Sequence, residues 1–281
     1  MKFKENLKNK PVFIGLCSMM IFIITFSFCV SKQFDNKIKN VSASVKEEFM
    51  SLSNKKIGWG IKRANNHFQP DVGSENKRIM DKYNGFCLGS NDKKYLYLTF
   101  DAGYEAGYTE KILEILKQND VKATFFITGH YLNTQPDLIK KMIENGNTVG
   151  NHTVNHKSIP DIDLDTLKNE VMKLHTAVYE KFGYEMKYFR PPKGEFSERT
   201  ISFTNSLGYT SVMWSLAYDD WDENKQGREE YGKAKVLENL HNGAIILLHS
   251  TSKDNSNILD FIIKEAKKEG YEFRSLDEFE R

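Results

Sequence analysis

The chain has 281 residues, 28% of them charged and 12% aromatic, a balance that fits a globular protein of one or two domains. Its net charge of +2 is uneven: residues 1–32 hold five lysines and one glutamate, which is +4 and leaves −2 on the rest. A slightly acidic body has no electrostatic footprint for nucleic acid, so no nucleic-acid partner is expected. Cys87 is the one cysteine beyond the N-terminal segment, which excludes a disulfide within the body and a zinc ribbon.

Residues 11–30, PVFIGLCSMMIFIITFSFCV, carry no charge over twenty positions, enough for a helix to span a bilayer. Lys2, Lys4, Lys8 and Lys10 precede them, which favours a cytoplasmic N-terminus and an exported body. A cleaved signal peptide, with a secreted product, is the rival reading. Its apolar core is usually shorter and no A-x-A site follows here, so an uncleaved anchor is favoured. The expected protein is extracytoplasmic, with the membrane as a partner through residues 1–32. Residues 33–54 read as a polar stalk and residues 55–93 as an irregular arm without a clear period.

From residue 94 the pattern becomes regular. Residues 95–100 alternate as a strand and 108–120 follow as a helix with Ile112, Ile115 and Leu116 on one face. Further strands are expected at 123–128, 147–152, 187–190, 209–217, 244–250 and 271–276. Helices are expected at 138–146, 163–181 with Asp163 or Asp165 as cap, 197–208, 233–241 and 256–269. Strands alternating with helices predict parallel βαβ units and an α/β domain over 94–281. The near-continuous apolar strands fit a sheet covered on both faces. No G-x-G-x-x-G or Walker sequence follows a strand, so a nucleotide site has no support.

Polar residues gather at strand C-terminal ends, the edge that carries the chemistry in such folds: Asp101, His152, Arg190, Asp219, Asp220 and His249. HTVNH, 152–156, places His152 and His156 four apart; on a helical turn they would share a face and hold one cation, although such a pair is also common in polar loops. Asp101 suits a general base or a metal ligand, since Gly103 and Gly107 set it too far from the next helix to cap it. Arg190 suits a partner that keeps a buried carboxylate ionised, or else a plain surface cation. His249 suits a proton donor; alone, it would be read as a core histidine bonded to backbone. His67, His130, His175 and His241 are read as structural, His241 as a cation suiting a helix end. Glu105 and Tyr104 are candidates to line the cleft.

Five segments in order, TFDAG (99–103), HTVNH (152–156), RPPKG (190–194), AYDDW (217–221) and LLH (247–249), resemble the motifs of the polysaccharide deacetylases of carbohydrate esterase family 4, the NodB-homology domain. The resemblance implies a distorted (β/α) barrel and a metal-assisted deacetylase. By motif position, Asp101 corresponds to the catalytic base, Arg190 to its partner, His249 to the general acid and Asp220 to the acid that orients it. His152 and His156 correspond to metal ligands, Trp221 and Leu247 to pocket residues, and Gly194 to the substrate-binding loop. Two positions depart. Ala217 replaces the first Asp of the fourth motif. Ala102 replaces the Asp that is the third metal ligand, which leaves two protein donors for a divalent cation. TFDAGYEAGYT, with WGIKRANN (59–66) and KYNGFCLG (82–89), is similar to the delta-lactam-biosynthetic subgroup. That subgroup implies deacetylation of N-acetylmuramic acid in peptidoglycan glycan strands, after an amidase has removed the stem peptides, on the way to the muramic delta-lactam of spore cortex. Three other readings stay open at this point: an N-acetylglucosamine deacetylase on peptidoglycan or chitin-like glycan, a glycoside hydrolase pairing Asp101 with Asp219 or Asp220, and a non-catalytic wall-binding protein.

Overall fold

The computed structural model describes residues 47–281. The chain divides into a unit ending at Leu52 and a second unit, Ser53–Arg281. In the first, residues 47–51 are helical. The apolar run at 11–30 and most of the stalk lie outside the described residues. Among the described residues no helix is long and apolar enough to cross a membrane.

The second unit is built on a curled parallel sheet. Its strands are β2 (Tyr95–Ala102), β3 (Thr124–Ile127), β4 (Thr148–Asn151), β5 (Tyr188–Phe189), β7 (Thr210–Ser211), β8 (Leu216–Ala217), β9 (Ala244–His249) and β10 (Glu272–Phe273). They run in the order β7-β5-β4-β3-β2-β9-β8, with β10 alongside the start of β2 and every pair parallel. The path ends at β7 and β8, so the sheet is an open, distorted barrel. A separate antiparallel pair joins β1 (Ile57–Gly58) to β6 (Glu195–Phe196).

Helices connect the strands as the parallel arrangement requires. They are α1 (Ser74–Lys82), α2 (Thr109–Gln118), α3 (Gly129–Thr134), α4 (Pro136–Glu144), α5 (Leu164–Phe182), α6 (Glu198–Ser206), α7 (Glu229–Leu237) and α8 (Lys253–Lys268). Their starts follow local chemistry. Asp163 accepts from Thr166 N to cap α5, and Ser197 forms a capping box on α6. Gly183, at φ 64°, ends α5 in the left-handed conformation.

Strand alternation divides the core. Leu96, Leu98, Phe100 and Ala102 of β2 and Ile246 and Leu248 of β9 belong to the large cluster that includes the helix residues Ile112, Leu116, Ile258 and Ile262. The intervening positions form the barrel interior, whose apolar floor is Tyr97, Phe126, Tyr188, Val212, Ile245 and Leu276. Gly150 on β4 is required there: a Cβ would sit 2.5 Å from the Phe126 ring. Continuing the same alternation upward gives Thr99 and Leu247, then Asp101 and His249 at the strand ends.

Some elements differ from the expected ones. Residues 55–93 are not irregular throughout, since they hold β1 and α1. The strand expected at 209–217 is two short strands, because Val212 to Ser215 bond across to other segments. Helix α7 starts and ends four residues before the expected bounds. His241 therefore lies beyond it, bonded to Ser215 Oγ and the Asn239 carbonyl, and burial lowers its pKa, so it is a neutral buried histidine rather than a helix-end cation.

Candidate active site

Asp101 ends the inward column of β2, one residue before the strand stops. Arg190, at the end of β5, is fully buried, and every part of its guanidinium is committed. Nε–H donates to the Val212 carbonyl (3.1 Å), NH1 to Asp101 Oδ1 (2.8 Å) and NH2 to Thr99 Oγ1 (2.9 Å). Thr99 in turn donates to the Ile246 carbonyl (2.7 Å). The guanidinium carbon lies 4.1 Å over the Phe126 ring, a cation–π contact on the apolar floor. Burial works against a charge on Asp101, but the Arg190 guanidinium outweighs it and holds the carboxyl below its ordinary range. Burial likewise lowers the Arg190 pKa, with Asp101 opposing. Removing either member would strand a buried charge at about 3–5 kcal/mol.

His152 follows β4 and His156 the turn after it. The two do not lie on a helical turn as the spacing suggested. The segment is a loop in which Thr153 (φ 68°) and His156 (φ 54°) are left-handed. Thr153 Oγ1 accepts from His156 N (2.9 Å) and Asn151 Oδ1 from Thr153 N (2.9 Å), which holds the turn closed. His152 Nδ1–H donates to the Arg190 carbonyl (2.8 Å), so its Nε2 is turned to His156 Nε2 at 3.1 Å and to Asp101 Oδ2 at 3.4 Å. Burial lowers both imidazole pKa values, that of His156 to about 4 with His152 adding to the effect, so both rings are neutral near pH 7. Two neutral imidazoles with converging nitrogens, one oriented by a backbone carbonyl, fit a divalent cation. Ala102 offers no donor and is buried within the large apolar cluster. Among the described residues no three His, Cys, Asp or Glu side chains form a metal-binding group. His152 and His156 would be the residues to hold such a cation.

On the other side of Asp101, in register with it, β9 ends at His249. Asp220, buried beyond β8, accepts from His249 Nδ1 (2.7 Å) through Oδ1 and from the His249 backbone N–H (2.7 Å) through Oδ2. Burial opposes a charge on His249, yet Asp220 raises its pKa above the ordinary imidazole value. Nδ1 being committed, Nε2 is the nitrogen left for the groove. Asn255 Nδ2–H donates both to Asp220 and to the His249 carbonyl, which fixes the pair from α8.

The remaining expected residues divide. Leu247 is buried beneath His249 yet outside both apolar clusters, as a pocket wall would be. Trp221 is 61% exposed beside Asp220. Gly194 (φ 65°) lies where a Cβ would meet the Trp214 ring at 2.8 Å, and its carbonyl accepts from Trp59 N (2.8 Å). Asp219 is not in the cluster: its carboxylate is taken by Arg228 (3.1 Å) and the Tyr231 hydroxyl (3.0 Å). With Asp220 bound to His249, the carboxylate pair of a glycoside hydrolase is not formed. Glu105 also turns away from the cleft and accepts from Gly107 N, Tyr108 N and the Tyr131 hydroxyl, anchoring the start of α2. Tyr104 is 65% exposed, its ring 4.7 Å from that of His130. Thr99, Phe126 and Asn255 escaped sequence reasoning. Thr99 alone had a signal, a polar residue on the inward side of an apolar strand.

Residues 89–212 match the family model described as Polysaccharide deacetylase. An uncharacterized 30.6 kDa protein of Geobacillus stearothermophilus is 44% identical over 93% of this chain and 92% of its own. The peptidoglycan-N-acetylmuramic acid deacetylase PdaA of Bacillus subtilis (strain 168) is 42% identical over 81% of this chain and 87% of its own. Its solved structure, described as a family 4 carbohydrate esterase, superposes with a TM-score of 0.79, covering 81% of this chain and 98% of that one. A peptidoglycan-N-acetylglucosamine deacetylase of Bacillus cereus is 33% identical over 70% of this chain and 72% of its own. Deacetylases of this kind are generally metal-dependent. The chain belongs to the polysaccharide deacetylases of carbohydrate esterase family 4, hydrolases of amide carbon–nitrogen bonds.

Proposed function

We propose that the protein removes the acetyl group from N-acetylmuramic acid residues of peptidoglycan. The observation that carries the reading is the pairing of Asp101 and His249 in register on neighbouring strands, one carboxylate whose pKa Arg190 holds down and one imidazole whose pKa Asp220 raises. Amide hydrolysis needs those two groups in those two states.

Asp101 takes a proton from a water as its oxygen bonds to the acetamide carbon. The carbonyl becomes an oxyanion. His249 Nε2 then gives its proton to the nitrogen, the carbon–nitrogen bond breaks, and acetate and a free amine leave. A divalent cation bound by His152 and His156 would supply Lewis-acid polarisation of the carbonyl and a more acidic water. Leu247 lines the space for the methyl group, and Trp221 and the Gly194 loop border the sugar.

The sugar identity follows the resemblance to the muramic deacetylases, 42% identity to PdaA against 33% to the glucosamine enzyme. The freed amine and the lactyl carboxyl of the same residue can then close a delta-lactam, as in spore cortex. The lactyl carboxyl must first be released from its stem peptide, so an amidase acts before this enzyme. The lysine-preceded apolar run at 11–30 supports an extracytoplasmic, membrane-anchored body next to the wall. A second reading, an N-acetylglucosamine deacetylase, is favoured only by the more distant relatives.

Full-length protein in mild detergent, incubated with peptide-stripped peptidoglycan and divalent metal, is expected to yield muramic residues 42 mass units lighter (the loss of one acetyl group) or their lactams. Loss of acetyl from glucosamine alone would turn the reading to the second sugar. Intact acetyl groups on both would turn it to a binding role.

A further inference from the structure

Asp220 is buried, so protein donors rather than solvent set its orientation. Its Oδ1 faces the His249 imidazole. Its Oδ2 accepts from the His249 backbone N–H and from Asn255 Nδ2–H. The two contacts on Oδ2 fix the plane of the carboxylate, and with it the direction from Oδ1 to Nδ1. Asn255 is therefore one of two anchors on the group that orients His249.

Asn255 is fully buried in the first turn of α8, where its backbone N–H donates to the capping Ser252 Oγ (3.2 Å). Its amide is used at every atom. One Nδ2 hydrogen goes to Asp220 Oδ2 and the other to the His249 carbonyl (3.1 Å), while Oδ1 accepts from the Tyr218 hydroxyl. An amide reversed end for end keeps its shape but exchanges donor for acceptor. Here the reversed amide would set an oxygen against a carboxylate and a carbonyl. Tyr218 holds the productive orientation by donating to Oδ1. Burial, with the charges of Asp220 and Asp254 nearby, raises the Tyr218 pKa, so the hydroxyl keeps its proton and remains a donor.

Room for that hydroxyl is built into the neighbouring helix. Gly232 lies inside α7, where a glycine costs about 1 kcal/mol relative to alanine. A Cβ there would sit 2.9 Å from the Tyr218 hydroxyl and 2.7 Å from Ile258 Cδ1. The chain thus accepts a poor helix residue at the place where the hydroxyl packs. Tyr218, Asn255 and Asp220 form one directed series of hydrogen bonds that ends on His249 Nδ1, and such buried series act as a unit.

We propose that Asn255 and Tyr218 are positioning residues of the reaction, which hold the Asp220 carboxylate in line with His249 so that Nε2 is aimed at the leaving nitrogen. The assignment rests on His249 as the general acid in the reaction proposed above.

The test uses Asn255→Leu, Tyr218→Phe and the double variant in the full-length protein. Acetate release from peptide-stripped peptidoglycan is read as kcat and KM separately, below the melting temperature of each variant. Asn255→Leu is expected to lower kcat on the order of 10- to 100-fold, with KM within about twofold of the wild type, because a misaligned acid slows the chemistry and leaves glycan binding alone. Tyr218→Phe keeps the ring and removes the donor, and should lower kcat by less. In the Asn255→Leu background it should lower kcat no further, since its effect passes through the amide. An unchanged kcat in Asn255→Leu would overturn the assignment, as would a loss shared between kcat and KM, the mark of a collapsed site. Losses that multiply in the double variant would remove Tyr218 from the series. A wild type that releases no acetate would instead overturn the hydrolytic reading itself.

Discussion

Asp220→Asn isolates the proton inventory of the site. The Asp220 side chain is fully buried and accepts two hydrogen bonds of 2.7 Å from His249, one from Nδ1–H and one from the backbone N–H. A hydrogen bond to a charged partner contributes about 1.5–3 kcal/mol net. Losing the charged partner of Nδ1 removes that contribution and lowers the His249 pKa. The sign follows from the role. His249 must carry a proton to release the amine, its pKa is raised in the folded protein, and activity is lost as pH rises through that pKa. The variant therefore loses activity at a lower pH than the wild type. The assay is acetate release from peptide-stripped peptidoglycan, read as kcat/KM from pH 5 to 10. A high-pH limb at the same position in Asp220→Asn and wild type would refute the assignment of that limb to His249, and with it the role of Asp220.

Three further outcomes follow from the same geometry. Asp101→Asn should lower kcat by about 10²–10⁴, the usual contribution of a general base, and lower Tm because Arg190 is left buried without its carboxylate; full activity would remove Asp101 from the mechanism. Ala102→Asp puts a carboxyl into a fully buried position, so its Tm should fall in chelator and recover more than the wild type on adding zinc. Equal zinc responses, measured by thermal shift, would show that residue 102 cannot reach the His152–His156 pair. Gly150→Ala drives a methyl into the Phe126 ring and should cost about 1–3 kcal/mol in chemical denaturation, with activity falling because Phe126 underlies Arg190.

The candidate site residues were legible because a parallel strand prints them in a fixed place. An apolar run that stops on Asp101, Arg190 or His249 marks the end of a buried strand, where a polar side chain meets its counterparts on the neighbouring strand ends. The βαβ order followed from the switch between a period of two and a period of 3.6. Helix α1 escaped because SENKRIMDK buries only Ile79 and Met80, too few apolar positions to show a face. Glu105 looked like a cleft residue because sequence position places it there; its direction is set by the free N–H groups at the start of α2.

The sequence by itself determined the α/β class, the order of the elements and the residue types at the strand ends, since each is written in local periodicity or in a single position. The tertiary structure alone decided how those groups act on one another. The imidazole pair converges through two left-handed residues, a conformation that His152–His156 spacing cannot reveal. Arg190 acts on Asp101, and Asp220 on His249, across gaps of 89 and 29 residues that close only when the sheet curls. Charge states depend on burial and on the nearest opposite charge, and both are properties of the packed chain rather than of any stretch of it.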